Sequence, residues 1–174
     1  MPYLGGKSSV STRIGAWIVS HLPPPHYDQL YVEPFGGMFG IGLKRSPAGA
    51  EWLNDIDELV VNWWRMVRDR PEELSHLLEF TPWSEQEFKR AWDERFDEDP
   101  LRRALNVSIL LAQSISSTID TGGSGWSHKY GGQGGRRGHY YLRIRSLARR
   151  MYNVQLFCRD VAEILEKTCE HAHA

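Results

Sequence analysis

Tyr31-Val-Glu-Pro-Phe-Gly-Gly-Met-Phe-Gly40 is the stretch whose reading decides the fold. The run Leu30–Glu33 is made of residues that favour extended chain, and it feeds directly into a glycine-rich turn. Ile41-Gly-Leu43 then continues at helical spacing. Strand, glycine turn and helix form the unit by which an α/β domain brings its backbone close to a nucleotide-like ligand at the carboxyl ends of its strands. About twenty residues further on, a second apolar run ends in Asn54-Asp-Ile-Asp57. An acid at that distance, on the end of the next strand, is placed to accept hydrogen bonds from ribose hydroxyls.

Working outward, Ser8 to Leu22 reads as an amphipathic helix with Val10, Ile14, Trp17 and Ile18 on one face, stopped by Pro23-Pro-Pro25. The short helix after the glycine turn is expected to reach about Arg45. Ala50 to Leu53 is the second strand. Asp57 to Val67 is a helix that turns Leu59, Val60, Trp63, Trp64 and Val67 inward. Pro71 opens a further helix at its first turn. Ser84 and Glu87 have the spacing of a capping box at the start of the next. Leu101 to about Ile119 is a long helix, and Gly122–Gly138, with eight glycines, is a loop. His139 to Tyr152 is a basic helix, Val154 to Cys158 a third strand, and Asp160 to His171 a last helix. Strands separated by helices imply a parallel sheet. The α/β core is expected over 1–78 and 152–174, with 79–151 as a mainly helical insertion.

At 174 residues the chain can bury a real core, and it contains no apolar run of the ~18 residues that a membrane span requires. No charged-then-apolar leader precedes the first helix, and Cys158 and Cys169 have neither metal-ligand spacing nor the density of a disulfide scaffold. A cytoplasmic protein with reduced thiols, no metal and no membrane partner is expected. The net charge of −1 hides a segregation. Thr121 to Arg159 holds no Asp or Glu but does hold Lys129, Arg136, Arg137, Arg143, Arg145, Arg149, Arg150 and Arg159, a formal +8, so the rest of the chain sums to −9. Aromatic residues and glycines are interleaved with these charges, which is the footprint expected for a polyanion rather than for a merely solvated helix face.

Taken with Pro2-Tyr-Leu-Gly-Gly-Lys7 at the start, these segments resemble the Dam-type DNA adenine-N6 methyltransferases, which use S-adenosylmethionine. The likeness is strongest in Pro2–Lys7, Val32–Gly40 and Asn54–Arg70. It implies an incomplete Rossmann-like methyltransferase sheet with a helical target-recognition insertion, in a restriction–modification or phage setting. By resemblance, Tyr3 and Lys7 cover the methionine end of the cofactor, and Glu33, Pro34, Phe35 and Gly37 wrap it. Asp55 would hold the ribose, Asp160 would accept the adenine amino group, and Val161 would lie beside the ring. Asp57 reads instead as a helix cap. The family often has a further glycine where this chain has Phe39.

Double-stranded DNA is the implied partner, with Trp126, His128, Lys129, Arg136, Arg137 and Arg143 as candidate contacts. Lysine and arginine would neutralise phosphates, and a few side chains would read base edges. The family flips its target base and holds it against an Asp/Asn-Pro-Pro-Tyr/Phe segment. No such segment occurs in these residues, so a site-specific methyltransferase fragment, inactive alone and completed by a separate C-terminal piece, is the first expectation. A non-catalytic DNA-binding or regulatory module derived from such an enzyme is the second. A dinucleotide-dependent oxidoreductase ranks last, because Gly36-Gly-Met-Phe-Gly40 does not fit Gly-x-Gly-x-x-Gly.

Overall fold

The first strand, β1, covers Leu30–Glu33, and the second, β2, covers Ala50–Asn54. β1 lies parallel to β2, with Val32 opposite Trp52 and Glu33 opposite Leu53. The third, β3, covers Val154–Phe157 and lies parallel on the other side of β2, with Leu53 opposite Leu156 and Asn54 opposite Phe157. The sheet order is β1-β2-β3, an α/β arrangement with three parallel strands. This is a computed structural model, and it describes residues 11–115, 119, 125–127 and 137–172. Glu51, Trp52, Leu53 and Asn54 of β2 are all buried, which is the near-continuous burial expected of a central parallel strand. All three strands run in one direction, so their carboxyl ends meet at one edge, where Pro34, Asp55 and Cys158 begin the connecting loops.

Among the described residues there are seven α-helices: α1 (Ser11–His21), α2 (Glu58–Asp69), α3 (Pro71–Phe80), α4 (Glu85–Asp93), α5 (Pro100–Gln113), α6 (Arg137–Met151) and α7 (Val161–Ala172). None is long and apolar enough to cross a membrane. Two compact units result, one of residues 62–152 and one of residues 11–61 with 153–172. In the first, Trp63, Trp64, Val67, Leu74, Leu110 and Leu111 are fully buried, and the Trp63 indole donates to the Ser108 hydroxyl at 2.8 Å. In the second, the core includes Phe39, Leu53, Val60, Val154 and Ile164.

Four local expectations change. Only a single 3-10 turn, Gly42–Lys44, follows the glycine turn in place of a helix to Arg45. Gly37 and Phe39 both take positive φ, at 48° and 52°, and backbone in that region cannot start a regular helix. Helix α5 stops at Gln113 rather than Ile119, because Ser114 turns extended and pairs with Trp126 in an isolated antiparallel bridge. Ser84 caps α4 by accepting from the Gln86 N–H, but Glu87 does not complete a box. Its carboxylate pairs with Arg90 at 2.8 Å, and Gln113 Oε1 accepts the Ser84 N–H instead. On α1, Ile14 and Trp17 lie exposed rather than inward.

Candidate functional site

The three strand ends are drawn together by one side chain that the sequence reading passed over. Asn54, the last residue of β2, is almost completely buried. Its Nδ2 donates to the carbonyls of Pro34, after β1, and of Arg159, after β3, each at 3.0 Å. Its Oδ1 accepts the Arg159 N–H, also at 3.0 Å. A buried amide costs free energy unless its polar atoms are paired, and here both hydrogens and the oxygen are used. Backbone contributes as well, since Gly36 donates to the Asn54 carbonyl at 2.7 Å and Asp55 donates to the Phe157 carbonyl at 3.2 Å.

On this base stands Asp55. Its Oδ2 accepts the Gly37 N–H at 2.8 Å and its Oδ1 accepts the Asp57 N–H at 3.0 Å. The carboxylate is thereby fixed in orientation, yet each oxygen has a second lone pair for a hydroxyl donor. The glycine turn can come this close because it has no side chains to place. A Cβ at Gly36 would lie 1.9 Å from Leu53 Cδ1. Asp57 caps α2 through its Oδ1 and the Leu59 N–H at 2.9 Å, as expected from sequence.

Beneath the turn, Glu33 faces inward. Its Oε1 accepts the Tyr31 hydroxyl at 2.8 Å and the Gly42 N–H. Burial pushes this carboxyl above the ordinary carboxylate range, against the lowering effect of both hydrogen bonds. Burial together with the Glu33 charge raises the Tyr31 phenol strongly, and the Arg45 guanidinium sits over its ring at 4.3 Å. The Phe39 ring fills the space under Gly42, where a Cβ would come within 2.3 Å of it. Complete burial of that ring holds Phe39 in the left-handed conformation that a glycine would adopt freely.

After β3, Asp160 caps α7 through Oδ1 and the Ala162 N–H at 2.8 Å, and the residue is exposed. Val161 is half-buried. Phe35 and Ile56 are large apolar side chains left exposed at this same edge, at 77% and 70%. Ile56 is a candidate that the sequence reading did not single out. The Cys158 thiol lies 3.7 Å from the Ile56 carbonyl, to which it donates. Of the cofactor candidates, then, Glu33, Pro34, Gly37 and Asp55 are joined by hydrogen bonds around one turn, and Asp160 and Val161 follow the Asn54-bound Arg159. Tyr3 and Lys7 lie outside the described residues.

The DNA candidates belong to the other unit. Trp126 is half-buried and its indole N–H donates to Gln113 Oε1 at 3.1 Å. Gln113 also donates to the Pro82 carbonyl at 3.1 Å, and its own carbonyl accepts the Ser127 N–H at 2.8 Å. Ile115 donates to Gly125 at 3.0 Å. Arg137 opens α6, and Arg143 stands exposed further along the same helix. Arg145 is paired with Glu72 at 2.5 Å and Arg159 with Glu163 at 3.4 Å. Exposed pairs of this kind contribute little and are readily exchanged for another anion. His128, Lys129 and Arg136 lie outside the described residues.

Two cavities lie in the 62–152 unit. One, of about 30 Å³, is lined by Leu78, Thr81, Trp83, Ser108, Ile109, Ala112 and Gln113 and has room for little more than a water. The other is an open hollow bordered by Asp93, Glu94, Asp97 and Glu98. Among the described residues, no group of three or more His, Cys, Asp or Glu is placed to hold a metal ion. No protein-family model matches the chain, and no curated protein matches it.

Proposed function

We propose that the strand-end crevice holds the adenosine part of S-adenosylmethionine, and that the chain is the cofactor-binding and DNA-recognition part of a Dam-like DNA adenine-N6 methyltransferase with an incomplete Rossmann-like sheet. The observation that carries this reading is the Asp55 carboxylate. It stands at the carboxyl end of the central parallel strand, oriented by the N–H groups of Gly37 and Asp57, with one acceptor direction per oxygen left for a ribose diol. Asp160 uses one oxygen as a cap and has the other for an adenine amino group. Exposed Ile56 and half-buried Val161 offer apolar surface to a purine ring. Tyr3 and Lys7 enter by resemblance alone, at the methionine end.

The DNA half of the reading rests on charge. Eight basic residues and no acid from Thr121 to Arg159 match a phosphate backbone. Anchoring of Trp126 by Gln113 gives the segment a fixed point from which to contact it. The methyl donor supplies an electrophilic methyl group when bound. The acceptors that the adenine amino group needs are those of an Asp/Asn-Pro-Pro-Tyr segment, and no such segment stands among these 174 residues. The reading therefore assigns cofactor holding and DNA contact to this chain and leaves the chemical step to residues it does not contain. A labelled-methyl assay on residues 1–174 with adenine-containing duplex DNA is expected to show no transfer. Turnover there would overturn the assignment.

Calorimetry tests the cofactor. S-adenosylhomocysteine is expected to bind and NAD to bind more weakly. A folded protein that binds neither, or that prefers NAD, defeats the proposal.

A further inference from the structure

Asn54 stands at the end of the central strand, and its side chain bonds to the loops that follow both flanking strands, at Pro34 and at Arg159. The ligand-facing groups are its neighbours in space: Gly37 and Asp55 follow Pro34 and Asn54 within three residues, and Asp160 follows Arg159 directly. We infer that Asn54 is the positioning residue of the crevice, an internal clasp that sets the spacing of the Gly37 turn, the Asp55 carboxylate and the Asp160 loop before any ligand arrives. It touches no ligand itself, being buried beneath the loops. The inference rests on the adenosine-site reading for its consequence in binding, but not for the clasp.

The chemistry favours asparagine for the task. Two carbonyls, from Pro34 and Arg159, need donors, and one N–H, from Arg159, needs an acceptor. A carboxamide supplies two donors and one acceptor from a single planar group. Aspartate has the same size but presents an acceptor where both carbonyls need a donor. Serine can serve one of the three partners. Leucine serves none, and leaves two carbonyls and an amide buried without partners. A preformed site loses less conformational freedom on binding, so loosening the clasp is read as lost affinity.

Amide hydrogen exchange by NMR, on the whole chain without ligand, reads the clasp directly. In Asn54→Ala the Arg159 and Gly37 amides are expected to exchange at least tenfold faster, while amides paired within the sheet keep their protection. Asn54→Ser is expected to fall between, and it carries the test if the alanine variant does not fold. Binding is then measured with S-adenosylhomocysteine and with adenosine, and both are expected to weaken at least tenfold in Asn54→Ala. Wild-type exchange at Gly37 and Arg159, or a uniform rise across all three strands, overturns the clasp and leaves Asn54 a general stability residue. Loosened loops with affinity within twofold of wild type overturn the positioning role. Failure of the wild-type protein to bind either probe defeats the adenosine-site reading and the binding half of this inference, while the exchange rates still decide the clasp.

Discussion

The strand-end crevice and the basic helix α6 organise charge in opposite ways. In the crevice the central polar side chains are held by internal partners before a ligand comes: Asn54 is fully paired, Glu33 is held by Tyr31 and Gly42, and Asp55 is oriented by two N–H groups. On α6, Arg143 stands out from the surface, and Arg145 is met only by an exposed ion pair with Glu72. Geometry carries the first region, so a single atom out of place is felt. On the proposed function the second works through the sum of its charges, so one arginine is nearly as good as another. Mutations should therefore act steeply in one region and shallowly in the other.

The steepest effect is expected at Gly36. An added Cβ would meet Leu53 Cδ1 at 1.9 Å and the Asn54 carbonyl at 3.1 Å, so the turn must shift. Gly36→Ala should cost about 3 kcal/mol of stability, at the upper end for overpacking, and should abolish measurable S-adenosylhomocysteine binding. Urea unfolding followed by circular dichroism checks the first part. A stable variant that binds normally would show that the turn is not shaped by close packing.

Asp55→Ala comes next. It leaves the Gly37 and Asp57 N–H groups without their acceptor, and removes the oxygens that the proposed function offers to a ribose. Affinity for S-adenosylhomocysteine should fall by roughly 1–3 kcal/mol, the scale of a hydrogen-bonding group left unsatisfied. Asp57→Ala serves as the contrast, because Asp57 caps α2, and it should cost about 1 kcal/mol of stability with little change in affinity. Equal losses of affinity in the two variants would erase the distinction between the acid that binds and the acid that caps.

On the basic segment the expectation is a change of slope. Replacing Arg136 and Arg137 by alanine should flatten the dependence of log DNA affinity on log salt by roughly 2 units if both touch phosphate. Arg145→Ala should leave stability within about 1 kcal/mol, since its partner Glu72 is as exposed as it is. An unchanged slope in the double variant would make the segment a solvated face.

These contrasts match what could and could not be read from the residues. Local patterns were legible. The strands read at Leu30–Glu33 and Ala50–Leu53, the second one residue short, the inward face of α2 and the Asp57 cap all follow from alternation, periodicity and residue type within one element. Partnerships across long separations were not. Asn54 binds Arg159 across 105 positions, and nothing in either neighbourhood announces it. Gln113 takes the Ser84 N–H that Ser84's own box partner was expected to serve, so Glu87 was free to turn to Arg90. Phe39 accepts a backbone conformation that its residue type disfavours, because its ring is worth more buried than its backbone costs strained. In each case a partner distant in the sequence decided what the local pattern could not.

The smallest predicted effect tests whether the floor of the crevice is as dry as its hydrogen bonds imply. Burial is the leading cause that raises the Glu33 carboxyl above the ordinary value of 4.5, with the hydrogen bonds from Tyr31 and Gly42 acting the other way. A carboxyl whose folded value is raised binds its proton more tightly in the folded protein than in the unfolded chain. Its contribution to stability is then fully present below the unfolded value and is lost as pH rises through the folded one. Glu33→Gln keeps an oxygen for the Tyr31 hydroxyl and the Gly42 N–H but has nothing to titrate. Below about pH 4.5 the two proteins should therefore differ in stability by a constant amount. Above it, the wild-type protein should lose stability relative to Glu33→Gln until Glu33 is ionised in the folded state, and the difference should then level off. Unfolding midpoints taken at intervals from pH 4 to pH 8 read this directly. Parallel curves would mean that water reaches Glu33, and that the turn rests on a solvated carboxylate instead of a buried one.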